Sequence, residues 1–262
     1  MSPHTQVAGT ERRVLDFHVR LAPVPRAPDR LLATMDECGI GRAVVCAGGT
    51  MPLAQLSRFL VEGGHIESDA DNDAVLRACE ASDGRLIPFF FANPHRDPEH
   101  YRKAAPDFRG MEISPAVHGV ALTDPRTAGL VEAARDFGHS VYTVCLERDG
   151  SRVADLVSLA LRYPEVTFVL GHAGIGNIDL YAVELIAPLP NVLLETSGGY
   201  TCVARAAVEQ LGADRVLFGS EAPLQHPEVE LTKLRHLGLG DEDWQKIAWR
   251  NACRLLGQEE TE

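Results

Sequence analysis

Short apolar runs recur along the chain, and each stops abruptly on a glycine or a polar side chain. Runs of this kind, bounded by turn residues and alternating with helical periodicity, read as strands of a buried parallel sheet. They fall at residues 14–18, 40–46, 85–91, 108–114, 140–145, 166–170, 191–195 and 216–218. Between them the spacing predicts helices over 29–38, 72–82, 101–105, 124–137, 152–163, 178–186, 201–211, 227–237 and 241–256. Gly39 and Gly212 close two of these helices, and Pro164 ends a third just before the next strand. Residues 1–13 are polar and expected to fray. Residues 51–71 are less regular and read as an excursion over the mouth of the domain.

Eight strands, each followed by helical material, fit a (β/α)8 TIM barrel, for which about 250 residues is typical. The 262 residues are therefore taken as one domain. A doubly wound open sheet would want a glycine-rich phosphate turn after its first strand, and Asp16-Phe-His18-Val-Arg20 supplies none.

Composition narrows the function classes. Hydrophobic content of 45% and charged content of 24% are ordinary for a globular protein. A net charge of −12 argues against nucleic-acid or anionic-membrane partners, which demand a basic face. No apolar run approaches the roughly 20 residues of a membrane span, and Met1-Ser-Pro-His-Thr-Gln lacks the features of a signal peptide. The six cysteines are scattered without a CxxC pair, which reads as reduced thiols in a cytoplasmic protein.

Three strands end on a ligand-type side chain: His18, His172 between Gly171 and Gly174, and Glu221 after Val216-Leu-Phe-Gly-Ser. In α/β folds the C-terminal strand ends carry the chemistry. His172 reads as a ligand, a general base or an electrophile, against the plainer reading of a histidine bonded to its barrel neighbours.

On these residues the chain resembles the amidohydrolase superfamily, in particular its amidohydrolase-2 (aminocarboxymuconate-semialdehyde-decarboxylase-like) branch. Asp16-Phe-His18-Val-Arg20 stands where that family has Asp-x-His-x-His. Arg109-Gly-Met-Glu-Ile-Ser-Pro115 resembles its strand-four motif, and Leu170-Gly-His-Ala-Gly174 its strand-six motif. Phe218-Gly-Ser-Glu-Ala-Pro223 and Ile247-Ala-Trp-Arg-Asn251-Ala are similar to its strand-eight motif and closing helix. The resemblance implies a barrel, a small-molecule substrate, a homodimer, and one or two divalent ions held by strand-end histidines and a carboxylate.

The ligand pattern is degenerate. Arg20 replaces a histidine, the fifth strand offers Thr143 or Cys145 instead of one, and Glu221 replaces aspartate. Arg20 is either a fork for a substrate anion or the partner of Glu221 or Glu112. A residual mononuclear zinc site from His18, Glu112, His172 and Glu221, with Cys145 as a further donor, is one expectation. The other is that Glu112 balances Arg20 and no ion binds. Without an ion, burial is expected to raise the pKa of Glu221 and suit it to proton transfer.

His118 and Tyr200 are further substrate-binding candidates, and His65 and His95 sit at the rim, each with plain packing as its rival. The implied activity is hydrolysis of a C–N or C–O bond, or non-oxidative decarboxylation, of a small carboxylate-bearing molecule. His172, Glu221 and His18 would be catalytic and Arg20 the anchor. The alternative is a catalytically inactive descendant that binds a ligand or partner at the same mouth.

Overall fold

Among the described residues the nine strand segments are buried at almost every position, and most of their side chains are apolar, the exceptions being polar groups such as Asp16, His18, Glu112 and Glu195. The computed structural model describes residues 13–258; the expectation of fraying over 1–12 lies outside them. In chain order the strands are β1 (Leu15–Leu21), β2 (Arg42–Ala47), β3 (Leu86–Pro88), β4 (Phe90–Ala92), β5 (Gly110–Ile113), β6 (Ser140–Thr143), β7 (Phe168–Leu170), β8 (Val192–Glu195) and β9 (Val216–Leu217). All pairings are parallel and run in sequence order, β1-β2-β3 and β4 through β9.

β3 and β4 are two halves of the single strand expected at 85–91. Pro88 has no amide proton, so the ladder breaks there, and the strand passes from pairing with β2 to pairing with β5. The Phe89 amide still donates to the Val45 carbonyl at 2.9 Å, and Arg109 donates back to Pro88 at 3.0 Å. At the opposite seam, Phe17 donates to Phe218 (2.9 Å), Glu221 to His18 (2.8 Å) and Arg20 to Ala222 (2.7 Å). These backbone bonds join first strand to last, in the arrangement of a (β/α)8 barrel.

Two segments differ from the sequence-based expectation. The excursion at 51–71 contains a helix, Leu53–Glu62, none of whose residues is buried. Leu53, Leu56 and Leu60 share one side of it and line a cavity, and Leu56 and Phe59 also pack against the edge of the core. The single closing helix expected at 241–256 is instead Asp241–Gln245, a wider π turn at Lys246–Arg250, and Asn251–Leu255. The wider turn has a use: the Ile247 carbonyl accepts from the Phe218 amide at 3.0 Å, just past β9.

Asn251 is fully buried, and its side-chain amide donates to the carbonyls of Ala213 (2.7 Å) and Val216 (2.8 Å). It thereby fixes the entry of the shortest strand. Asn251→Ala leaves two buried carbonyls short of a donor, and unfolding free energy should fall by about 2–3 kcal/mol. Urea denaturation with an unchanged m-value checks this, and a loss below about 0.5 kcal/mol would mean the two bonds carry nothing.

Candidate active site

Alternation along β1 places Asp16, His18 and Arg20 on one side of the strand, and a register shift between Asp16 and Val19 adjusts how the last two are aimed. Asp16 lies deepest. It accepts from the Ser220 amide at 2.9 Å and the His18 amide at 3.2 Å, and it is bonded to the Ser220 hydroxyl. One carboxylate thus ties the loop carrying Glu221 to the strand carrying His18. Burial pushes its pKa up to about 7.

His172 and Glu221 both adopt left-handed backbone conformations, with φ of 56° and 59°. For non-glycine residues this costs on the order of 1 kcal/mol each. Fixed bonds offset it: the His172 amide donates to Glu195 at 3.1 Å and the Glu221 amide to His18 at 2.8 Å. Two glycines allow the close approach. A Cβ at Gly171 would collide with the Tyr142 ring, and one at Gly219 with the Glu195 carboxylate.

The side chains form one continuous network. Glu112, fully buried on β5, accepts from Arg20 Nη2 (2.7 Å), Arg20 Nη1 (3.1 Å) and His18 Nε2 (3.0 Å). The Arg20 Nε donates to Glu221 at 3.2 Å. Glu221 Oε2 lies 2.8 Å from His172 Nδ1. His18 stacks flat on Tyr142, with ring centroids 4.1 Å apart. The Tyr142 hydroxyl donates to Glu195 at 2.7 Å, and so does the Ser197 hydroxyl at 2.8 Å. Because Ser197 spends its proton on Glu195, its oxygen at 2.9 Å and Glu221 Oε2 at 2.8 Å are both acceptors that share one hydrogen from His172 Nδ1. That nitrogen therefore carries the hydrogen, and Nε2 is the nitrogen free for a substrate.

Charge follows geometry. Burial works to raise the Glu112 carboxyl, but Arg20 and then His18 hold it down at about 2. Burial also works against the Glu221 carboxylate, and the His172 imidazole, with Arg20 behind it, keeps it well below the usual range. The expectation that burial would raise Glu221 is therefore corrected, because its cationic neighbours outweigh desolvation. Burial works to lower His172, and Glu221 overcomes it, so the imidazole is raised.

Above this floor opens a cavity of about 460 Å³. Arg20, His172 and Glu221 form its polar end, while Met51, Leu53, Leu56, Leu60, Val117 and Val144 make most of its wall.

The other candidates fall elsewhere. Tyr200 is 56% exposed at the start of the helix Thr201–Leu211 and stands outside the network. His118 is buried behind Phe91, its Nδ1 bonded to the Ile66 carbonyl at 3.1 Å, and it does not line the cavity. Cys145 lies beyond the end of β6, buried, with its thiol pushed up by desolvation, so it offers no thiolate. The β6 residue that meets His18 is Tyr142. His65 and His95 stack at the rim beside Glu67, apart from the network. Tyr142, Glu195 and Ser197 carry no assignment from sequence. Glu195 at least shows the signal used for Glu221, a carboxylate ending an apolar run.

Donor atoms of His18, His172 and Glu221 lie within 4.8 Å of one another, a spacing an ion could bridge. The His18 Nδ1, buried without a partner among the described residues, would also suit one. Arg20 opposes it. An ion on Glu221 would sit about 4–5 Å from the guanidinium, where the two cations repel by roughly 7 kcal/mol at an effective dielectric of about 20. Both carboxylates of the expected ligand set are already bonded to that guanidinium. Three of the four expected zinc ligands, His18, His172 and Glu221, come together, while Glu112 is turned to Arg20; those donors alone would suit an ion, but with the guanidinium bonded to both carboxylates the residues as arranged do not fit a divalent one.

The chain belongs to the amidohydrolase family, whose sequence model matches residues 15–258. No curated protein sequence matches it. Its fold is similar to that of 5-carboxyvanillate decarboxylase from Sphingomonas paucimobilis, with a TM-score of 0.68, 16% identity, and coverage of 95% of this chain and 100% of that one. It is also similar to 5-carboxyvanillate decarboxylase from Novosphingobium aromaticivorans complexed with manganese (TM-score 0.69, 15% identity, 93% and 96% coverage). A third similar structure is a probable 2-pyrone-4,6-dicarboxylic acid hydrolase from Acinetobacter baumannii with citric acid bound (TM-score 0.69, 14% identity, 93% and 99% coverage).

Asp16 yields a pH prediction. Its folded pKa of about 7 stands above the ordinary 3.8, so its contribution to stability is full below that ordinary value and is lost as pH rises toward 7. Asp16→Asn should therefore flatten the decline in stability between about pH 4 and about pH 7. Urea unfolding of both proteins across that window tests this, and parallel curves would show that Asp16 does not titrate there.

Proposed function

We propose that this protein is an acid–base enzyme of the amidohydrolase family that hydrolyses a C–O or C–N bond in a small carboxylate-bearing molecule with an apolar body. The observation that carries the reading is the pairing of His172 Nδ1 with Glu221 at 2.8 Å on the floor of a largely apolar cavity. A carboxylate on one imidazole nitrogen orients the ring and makes the other nitrogen a competent base.

In this scheme His172 Nε2 takes a proton from water as the oxygen adds to the substrate carbonyl. The tetrahedral adduct then collapses, and the same nitrogen returns the proton to the departing oxygen or nitrogen. Glu221 stays ionised and steadies the imidazolium. Arg20 has committed three of its five N–H donors to Glu112 and Glu221, which leaves two for a substrate carboxylate. The His18 ring, locked between Tyr142 and Glu112, holds that guanidinium's partner in place.

Decarboxylation is the second reading, supported by neighbours that are decarboxylases. There the bond to the carboxylate breaks, its electron pair stays on carbon, and protonated His172 delivers the proton as CO2 leaves. The protein is taken as cytoplasmic, in keeping with six cysteines that are all free, and as a homodimer on family resemblance. No described helix is long and apolar enough to cross a membrane.

A panel of esters, lactones, amides and aryl acids bearing one carboxylate, followed by proton release and by CO2 release, separates the two chemistries. On a substrate so found, His172→Asn should lower kcat by about 10²–10⁴ with little change in KM, and Glu221→Gln by about 10². Full turnover in His172→Asn would remove the proposal, and saturable binding without turnover would favour the non-catalytic descendant.

A further inference from the structure

We infer that Arg20 is a resident cation: its guanidinium stands in for a metal ion and closes the barrel mouth to one. Its side chain is only 14% exposed, yet it contacts two carboxylates from opposite sides of the barrel. The fork lies flat against Glu112 through two nitrogens, and the third nitrogen reaches Glu221. Phe91 covers the guanidinium at 5.6 Å, which shields the group from water. Glu112 already receives three N–H groups, two from Arg20 and one from His18.

Arg20 lies between Glu112 and Glu221 and bonds both, the His172 ring also bonds Glu221, and the His18 imidazole bridges to Glu112. A divalent ion would have to share with the guanidinium the two carboxylates that it already holds. A guanidinium is charged at every accessible pH, and being covalent it cannot be diluted away or chelated. It performs two tasks of a bound ion: it helps hold the Glu112 and Glu221 carboxylates ionised, and it presents N–H donors to an anion in the cavity. The bridge that Arg20 makes between Glu112 and Glu221 is thus the span that an ion would otherwise occupy.

This inference rests on the proposed reading of the site for Arg20's role toward substrate, but its test does not. Zinc is titrated into purified wild type, Arg20→Ala, Arg20→Lys and the double variant Arg20→Ala with His172→Asn, with binding followed by calorimetry and melting temperature. Wild type and Arg20→Lys should bind no zinc at this site, any rim binding at His65 and His95 being common to all four proteins. Arg20→Ala should melt lower than wild type without metal and regain stability with zinc, binding it at least about 100-fold more tightly than the limit set by the wild-type titration. The double variant should lose most of that gain.

If Arg20→Ala is too unstable to purify, Arg20→Gln, which keeps volume and two donors, serves in its place. Equal zinc affinity in wild type and in the neutral Arg20 variant overturns the inference, and so does a gain that survives His172→Asn. A gain of zinc together with unimpaired turnover in His172→Asn alone would sink the dyad reading and leave the resident cation standing.

Discussion

A carboxylate buried to zero exposure survives as an anion only where its neighbours outweigh the cost of leaving water, and Glu112 is the point from which this barrel's interior chemistry is organised. Arg20 and His18 supply the compensation, and in doing so they fix their own positions. His18 is further flattened against Tyr142, and Tyr142 is in turn bonded to Glu195, which receives the backbone amide of His172. Each strand end is therefore located by a partner on another strand. The seam bonds between β1 and the residues after β9 run through His18, Arg20 and Glu221 themselves. The backbone bonds that bring β1 to the residues after β9 are thus made by residues of the site itself.

The architecture was legible because parallel strands leave a simple trace: apolar on both faces, short, and followed by a helix. The strand-end residues His18, His172 and Glu221 were legible for the same reason, as single polar groups that end apolar runs. Tyr142 was not, since an aromatic within an apolar strand reads as core, and only the ring opposite shows that it is something more. The direction of the Glu221 shift was hidden as well. Burial can be guessed from a sequence, but His172 and Arg20, the neighbours that overrule it, come from the turn after β7 and from β1. The alternatives for Arg20 could be separated only by knowing that Glu112, 92 residues away, meets it at 2.7 Å.

Errors in placement had local causes. Tyr200 follows a strand end by a few residues, yet the turn Thr196-Ser-Gly-Gly carries it outward to begin a helix. His118 is turned inward by the short turn Pro115–His118, where a backbone carbonyl captures its ring. The helix Leu53–Glu62 does carry a signal, since Leu53, Leu56 and Leu60 recur at helical spacing, but it lies within a stretch whose glycines and polar residues after Glu62 read as irregular.

That void has a thermodynamic corollary. Leu56 and Phe59 rest partly on the core, Leu53 and Leu60 stay exposed along the cavity, and Gly63-Gly64, both at positive φ, end the helix. The hydrocarbon portion of a guest seated there would cover that remaining apolar surface. Affinity should then carry the negative heat-capacity change of apolar dehydration, and selectivity should track the length of the guest's greasy end as much as the chemistry of its polar one.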